Sequence, residues 1–332
     1  MVFERLFAGE IKKRWLFLIS VAYSSIGLAI SRLLFGANSG IVAIVFTSLL
    51  FLPIMKKIFE KKEKIKKGWF SFYSLNKNVI WSYFVIFLGV FLVFTIYSFL
   101  LPQLGFDTLS ILKEQLFIDP ALRGSAFDIG IMGSIFMNNF WVLLVCFVLS
   151  LFFVEGGVFF IIWNASAWGS IVGYRALTAA TASGESAVIY LLLILLITFP
   201  HFFLESMAYI LAATSGAKIS LLISNLRLVK KFFLVLGGSI LLFAVVYMFF
   251  YYFNQFLLLK LFSVVLGIGL VYLLKNLFYQ DRVGLIKYNY YYFLFISAFF
   301  LFLLGAIVET FVLMNCNTLI EIYNYSYLFI GG

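Results

Sequence analysis

Charge is scarce in this chain, and the scarcity excludes most soluble functions. Only 11% of its 332 residues are Asp, Glu, Lys or Arg, against 64% hydrophobic, and the mean hydropathy is +1.10. A soluble domain carries about 25% charged residues and roughly half apolar ones, so a soluble enzyme domain does not fit. Histidine occurs once, at His201, which excludes an HExxH zinc-protease motif because that motif needs two. The two cysteines, Cys146 and Cys316, have no zinc-type spacing. They fall at different depths of apolar segments, which argues against a disulfide between them. No GxSxG nucleophile elbow occurs either. These absences assign no catalytic residue, no cofactor and no metal, and the chain reads as a non-enzyme.

What is abundant is long apolar sequence. Runs of about 20 residues, enough to cross a bilayer, recur along the whole length. Backbone polar groups in hydrocarbon must be satisfied internally, which leaves helices or a closed barrel. Barrel strands alternate apolar and polar residues, whereas the runs here are continuously apolar, as in Leu191 to Phe199 and Tyr290 to Phe302. The expected fold is therefore all-α, a polytopic transmembrane bundle of about nine spans: 15–35, 38–55, 79–101, 135–154, 157–175, 186–216, 232–253, 257–275 and 289–312. The sixth is too long for one perpendicular helix and holds Pro200, so a kink, a strong tilt or a break is expected there.

Net charge is +10, and the bases cluster between apolar spans, as the positive-inside rule requires of a membrane protein rather than a nucleic-acid binder. With the N-terminus in the cytoplasm, 19 of the 24 Lys and Arg residues fall inside and 5 outside. The odd span number then puts the C-terminus outside. This divides the chain into a cytoplasmic leader 1–14, three spans over 15–101 with a Lys-rich cytoplasmic loop 56–78, and an extracytoplasmic loop 102–134. A membrane core 135–225, further spans over 226–312 and an extracytoplasmic tail 313–332 follow. The first span reads as an uncleaved signal anchor, since its apolar stretch exceeds the usual signal-peptide length. Loop 56–78 suits anionic headgroups or an acidic partner, and a short amphipathic helix is expected around 107–117.

Ionisable and amide side chains inside spans are costly and so become functional candidates. They are Asn138, Asn139, Glu155, Asn164, His201, Glu205 and Glu309, with Pro200 beside the histidine. His201 and Glu205 are four apart and share a helix face, so the simplest expectation pairs them with each other or with a neighbouring Asn. For Asn138, Asn139 and Asn164 it is hydrogen bonding across helices. A proton or ion path through Glu205 and His201 is the sharper alternative. Small residues after Glu205 (Ala208, Ala212, Ala213, Ser215, Gly216, Ala217) allow another helix to approach closely.

These segments, taken in order, resemble the stage II sporulation protein M family of membrane proteins. The matching elements are Asn138-Asn139 and Trp163-Asn164-Ala165-Ser166 with Gly169 and Gly173. Pro200-His201 with Glu205 and Ala208, then Ser215-Gly216-Ala217, and finally Gly305-Ala306-Ile307-Val308-Glu309-Thr310-Phe311, complete the set. The resemblance covers about 130–225 and 300–312, and the N-terminal part resembles the longer archaeal-type members. Phe202 stands where the family usually has glycine, Glu155 where small residues are more usual, and spans seven and eight are additional to the short bacterial members. The resemblance implies an integral membrane scaffold or assembly component without its own enzymatic activity, in the cell (plasma) membrane. Its expected partners are the lipid bilayer and another membrane or extracytoplasmic protein, or a second copy of itself, and no nucleic acid. The alternative is a transporter or an ion- or proton-conducting protein using the Pro-containing sixth span.

Overall fold

The computed structural model describes residues 12–36, 40–60, 71–100, 129–222, 282–316 and 322. Among these residues the chain is all-helical, with seven long helices and no strand. They are α1 (Lys13–Phe35), α2 (Gly40–Glu60), α3 (Ser71–Leu100), α4 (Ile129–Phe152), α5 (Gly157–Ser183), α6 (Ala187–Leu222) and α7 (Arg282–Asn315). All but α4 hold a stretch long and apolar enough to cross a membrane. The 24 residues of α4 are themselves almost wholly apolar.

Local chemistry sets the helix ends. The Lys12 carbonyl accepts the amides of Trp15 (2.9 Å) and Leu16 (3.1 Å), which starts α1. At the far end of α5, Gly184 has φ of +79° and donates its N–H to the Ala180 carbonyl at 2.9 Å. That left-handed stop is cheap only for glycine. It lets the chain turn into α6 within three residues.

Side-chain contacts fix the direction of each helix relative to its neighbours. Tyr23 of α1 meets Phe51 of α2 at 5.2 Å, and Gly27 lies against Ala43 and Thr47, so α1 and α2 are antiparallel. Lys13 donates to Asn78, and Gly89 lies against Ser20, so α1 and α3 are parallel. Gly169 meets Phe91 and Gly173 meets Ser98, which makes α3 and α5 parallel too. Ser215 Oγ donates to the Tyr291 carbonyl at 2.7 Å while Gly305 packs on residues 201–205, so α6 and α7 are antiparallel. Helices α1, α3, α5 and α7 thus run one way, and α2, α4 and α6 return. Aromatic rings fill the α3–α6 seam: Phe84 meets Phe203 at 5.6 Å, and Phe87 and Phe91 meet Phe202 at 5.1 and 4.9 Å.

Several boundaries differ from those expected. Helix α3 begins at Ser71 rather than 79, inside the expected loop, and the start of its apolar part meets the beginning of α1. Lys13 Nζ donates to the Asn78 carbonyl (2.8 Å), to Asn78 Oδ1 (2.9 Å) and to Ser82 Oγ. Helix α2 runs on through Pro53 to Glu60, and α5 continues to Ser183 rather than 175. Helix α6 is one continuous helix of 36 residues with Pro200 inside it, not a broken pair. At 1.5 Å per residue it is about 54 Å long, far more than a hydrocarbon core of about 30 Å. The expected spans 232–253 and 257–275, the amphipathic helix at 107–117, residues 61–70 of the Lys-rich loop, and most of the leader, the loop 102–134 and the tail lie outside the described residues.

Candidate functional site

The inner half of α6 sits at the centre of the bundle because its side chains are small. Residues 208–219 are all buried, and most of them are alanine, serine, threonine or glycine. A Cβ placed on Gly216 would fall on the Phe147 carbonyl of α4, and one on Gly157 would fall on Ser150 and on the Ala213 side chain at 2.6 Å. The backbones of α4, α5 and α6 therefore touch. Only residues lacking bulk permit that approach between membrane helices.

Polar groups are set into this dense region. Glu205 is 5% exposed, and its Oε1 accepts a hydrogen bond from the Tyr209 hydroxyl one turn further along α6. Gly305 of α7 faces the same turn. A Cβ there would lie 3.5 Å from the Glu205 amide nitrogen and 3.7 Å from the His201 carbonyl oxygen. Glu309, one turn beyond Gly305, is partly buried, and its carboxyl lies within electrostatic reach of Glu205 and of Tyr209. The structure thus places Glu205 and Glu309 on two antiparallel helices that pack at Gly305. His201 goes elsewhere: its ring packs 5.3 Å from that of Trp168 on α5, and its buried Nδ1 has no hydrogen-bond partner. The expected His201–Glu205 pairing is replaced by Tyr209 on one side and Trp168 on the other.

The remaining candidates are dispersed. Asn164 Nδ2 donates to the Phe160 carbonyl at 2.8 Å, within its own helix rather than across to another. Asn139 is partly buried on α4; the side chain of Asn138 lies outside the described residues. Pro200 sits inside α6, where it cannot donate to the Leu196 carbonyl. Glu155 lies partly buried in the turn joining α4 to α5. There it is within electrostatic reach of Tyr83 on α3, which in turn is within reach of Cys146 on α4.

Three participants were not singled out from sequence: Tyr209, Tyr83 and Cys146. Tyr209 carried a usable signal, since it stands four residues after Glu205 on the same helical face. Tyr83 and Cys146 carried none, because a lone tyrosine or cysteine in an apolar span is ordinary. Among the described residues, no three of His, Cys, Asp and Glu converge as ligands for a metal ion. A buried carboxyl that accepts a tyrosine O–H, with a second, partly buried carboxyl on the adjoining helix, forms a place where a proton or a single cation can be held. Compared with protein-family models, curated proteins and solved structures, the chain matches none.

Proposed function

We propose that the chain is an integral membrane scaffold, an assembly component of a larger membrane complex with no enzymatic turnover of its own. The observation that carries this reading is the close glycine packing between helices. Gly27, Gly89, Gly157, Gly169, Gly173 and Gly216 each lie where a single added carbon would collide with a neighbouring helix. Helices held at this distance cannot slide or rock without losing contact along their length. Such a bundle suits holding partners in place better than alternating between two open states. The resemblance of residues 130–225 and 300–312 to the stage II sporulation protein M family favours the same role. In this reading the chain has nine spans in the plasma membrane with its N-terminus in the cytoplasm. The alternating helix directions support that topology, because α6 ends and α7 begins at the same end of the bundle, as two returning spans at 232–253 and 257–275 require.

The test is affinity purification from native membranes in mild detergent, with co-purifying proteins quantified by mass spectrometry. A membrane or extracytoplasmic protein at fixed stoichiometry, or a second copy of the chain, is expected, and its loss on Glu205→Gln or His201→Ala would tie it to the buried polar residues. A clean, monodisperse chain without a partner would overturn the scaffold. A second reading, ion or proton conduction, is favoured by one observation, the buried Glu205 carboxyl that accepts the Tyr209 hydroxyl beside the helix that carries Glu309. A static bundle is compatible with it, since protons move along fixed groups without helix motion.

A further inference from the structure

Charge is unevenly divided between the two ends of the bundle. Helices α1 and α3 begin side by side, where Lys13 Nζ donates to Asn78 and Ser82. Helix α2 ends there too, its Phe59 ring 6.1 Å from that of Tyr83 on α3, and α6 brings Lys218 to 5.8 Å from the same Phe59 ring. Among the described residues every lysine side chain lies at this end, together with Arg14, against the acids Glu60 and Glu155. Toward the opposite end the bases are Arg32 and Arg175 and the acids Glu185 and Glu309. Arg32 there donates to the Gly36 carbonyl of its own helix end at 3.0 Å.

The outward faces of three helices repeat one order at the basic end. On α1 the exposed Lys12 and Arg14 are followed by Trp15 and, three residues later, Leu18, each 54% exposed. The Arg14 guanidinium lies 5.9 Å from the centre of the Trp15 ring. On α3 the exposed Lys77 stands one turn before the exposed Trp81. Helix α2 runs the other way and reverses the order, with Leu49 and Leu52 exposed first and then Lys56 and Lys57. From Lys12 to Leu18 the helix rises about 9 Å, at 1.5 Å per residue. Base, indole and aliphatic side chain thus succeed one another as phosphate, interface and acyl chain do on entering a membrane leaflet. An acidic protein docking from water would account for the bases, but it would leave the exposed indoles and leucines beneath them without a partner.

We propose that the end of the bundle where α1 and α3 begin binds acidic phospholipid. The phosphates lie on Lys12, Arg14 and Lys77 of the α1–α3 pair and on Lys56 and Lys57 of α2, and the acyl chains run along Trp15, Leu18 and Trp81. Lys13 has a different part. Its ammonium is spent on Asn78 and Ser82, and it holds the two helix starts together so that the bases on either side stay close. Exposed bases on three helices favour a headgroup of net negative charge over a zwitterionic one, whose own cation they repel. The bundle's hold on its membrane therefore strengthens with the acidic lipid content.

The experiment incubates the purified full chain in detergent with equal amounts of phosphatidylglycerol and phosphatidylcholine of the same acyl chains, removes unbound lipid by gel filtration, and quantifies what is retained by mass spectrometry. Phosphatidylglycerol is expected in several-fold excess, with the excess shrinking as salt is raised. It should fall by up to about fivefold in each of Lys12→Gln, Arg14→Gln and Lys77→Gln, and vanish in the triple variant. These side chains are exposed, so the variants should unfold at the parent's midpoint in lipid-free detergent; if the triple variant does not, the single ones decide. Arg32→Gln, at the opposite end, should retain the parent's preference. Equal retention of the two lipids by the parent would overturn the proposal. So would a preference that the triple variant keeps, because the acidic lipid would then be held elsewhere. Equal retention together with a protein partner lost in the triple variant would give the basic end to an acidic protein instead.

Discussion

The more apolar half of α6 is the one left exposed, and the half with the polar groups is the one enclosed. From Ala187 to Phe199 the helix is mostly leucine and isoleucine, and only Ile194 and Thr198 are buried; Leu192 is 61% and Leu196 75% exposed. From His201 onward the side chains shrink, polar groups appear, and every residue from 208 to 219 is enclosed. In water the leucine-rich half would be the one driven inside. In a bilayer it gains nothing by leaving the lipid, because acyl chains are as apolar as leucine. Association falls to residues that let backbones meet and to polar groups that need partners. Burial along α6 therefore follows side-chain size and polarity, not hydrophobicity.

The severest way to break this contrast is to give the inner half the side chains of the outer. Gly216→Leu would drive a side chain into the Phe147 carbonyl and the Ser150 side chain of α4. Neither can yield without separating the two helices. The expected loss is about 3 kcal/mol, the upper end of overpacking costs, read as loss of monodisperse protein in detergent or a steep fall in unfolding midpoint. A Gly216→Leu protein as stable as the parent would mean that α4 and α6 are not in backbone contact.

Hydrogen bonds sharpen the contrast with a smaller effect. Tyr209→Phe removes the donor to Glu205 and leaves a carboxyl enclosed at the α6–α7 contact. Thr198→Val, in the outer half, removes a hydroxyl that only donates at 2.7 Å to the Ile194 carbonyl of its own helix. The first should cost about 1–2 kcal/mol, the usual penalty for stranding a buried polar partner. The second should stay within about 0.5 kcal/mol. Equal costs in reversible unfolding would remove any special standing of Glu205.

How far the sequence foretold these features depended on whether the signal was local. Apolar length placed the described helices, and the small residues after Glu205 marked the closely approached half of α6. Boundaries and tertiary partners were not local: nothing in the apolar pattern says that α3 reaches back to Ser71 or that Lys13 meets Asn78 and Ser82. Pro200 suggested a kink, a strong tilt or a break, and of these the break does not occur: α6 runs through it as one helix, since a proline removes only one hydrogen bond. Of the candidate residues, Glu205 and Glu309 lie on helices that pack together at Gly305 although 104 positions separate them, which no periodicity could reveal. Asn164 turned back to its own helix because the Phe160 carbonyl is always within reach of an amide one turn later.

The smallest effect is expected on the outer half, and it carries the most information about assembly. Leu196 is 75% exposed, so truncation to alanine opens no cavity within the isolated chain, and lipid or detergent fills the space. Leu196→Ala and Leu192→Ala should each change stability by less than about 0.5 kcal/mol, measured on purified protein. The same variants in native membranes should behave alike if this face meets only lipid. Should they leave the purified chain intact yet reduce recovery of a stoichiometric partner, the leucine-rich half of α6 is where that partner sits. The contrast between the halves would then be one between internal and external packing, not between protein and lipid.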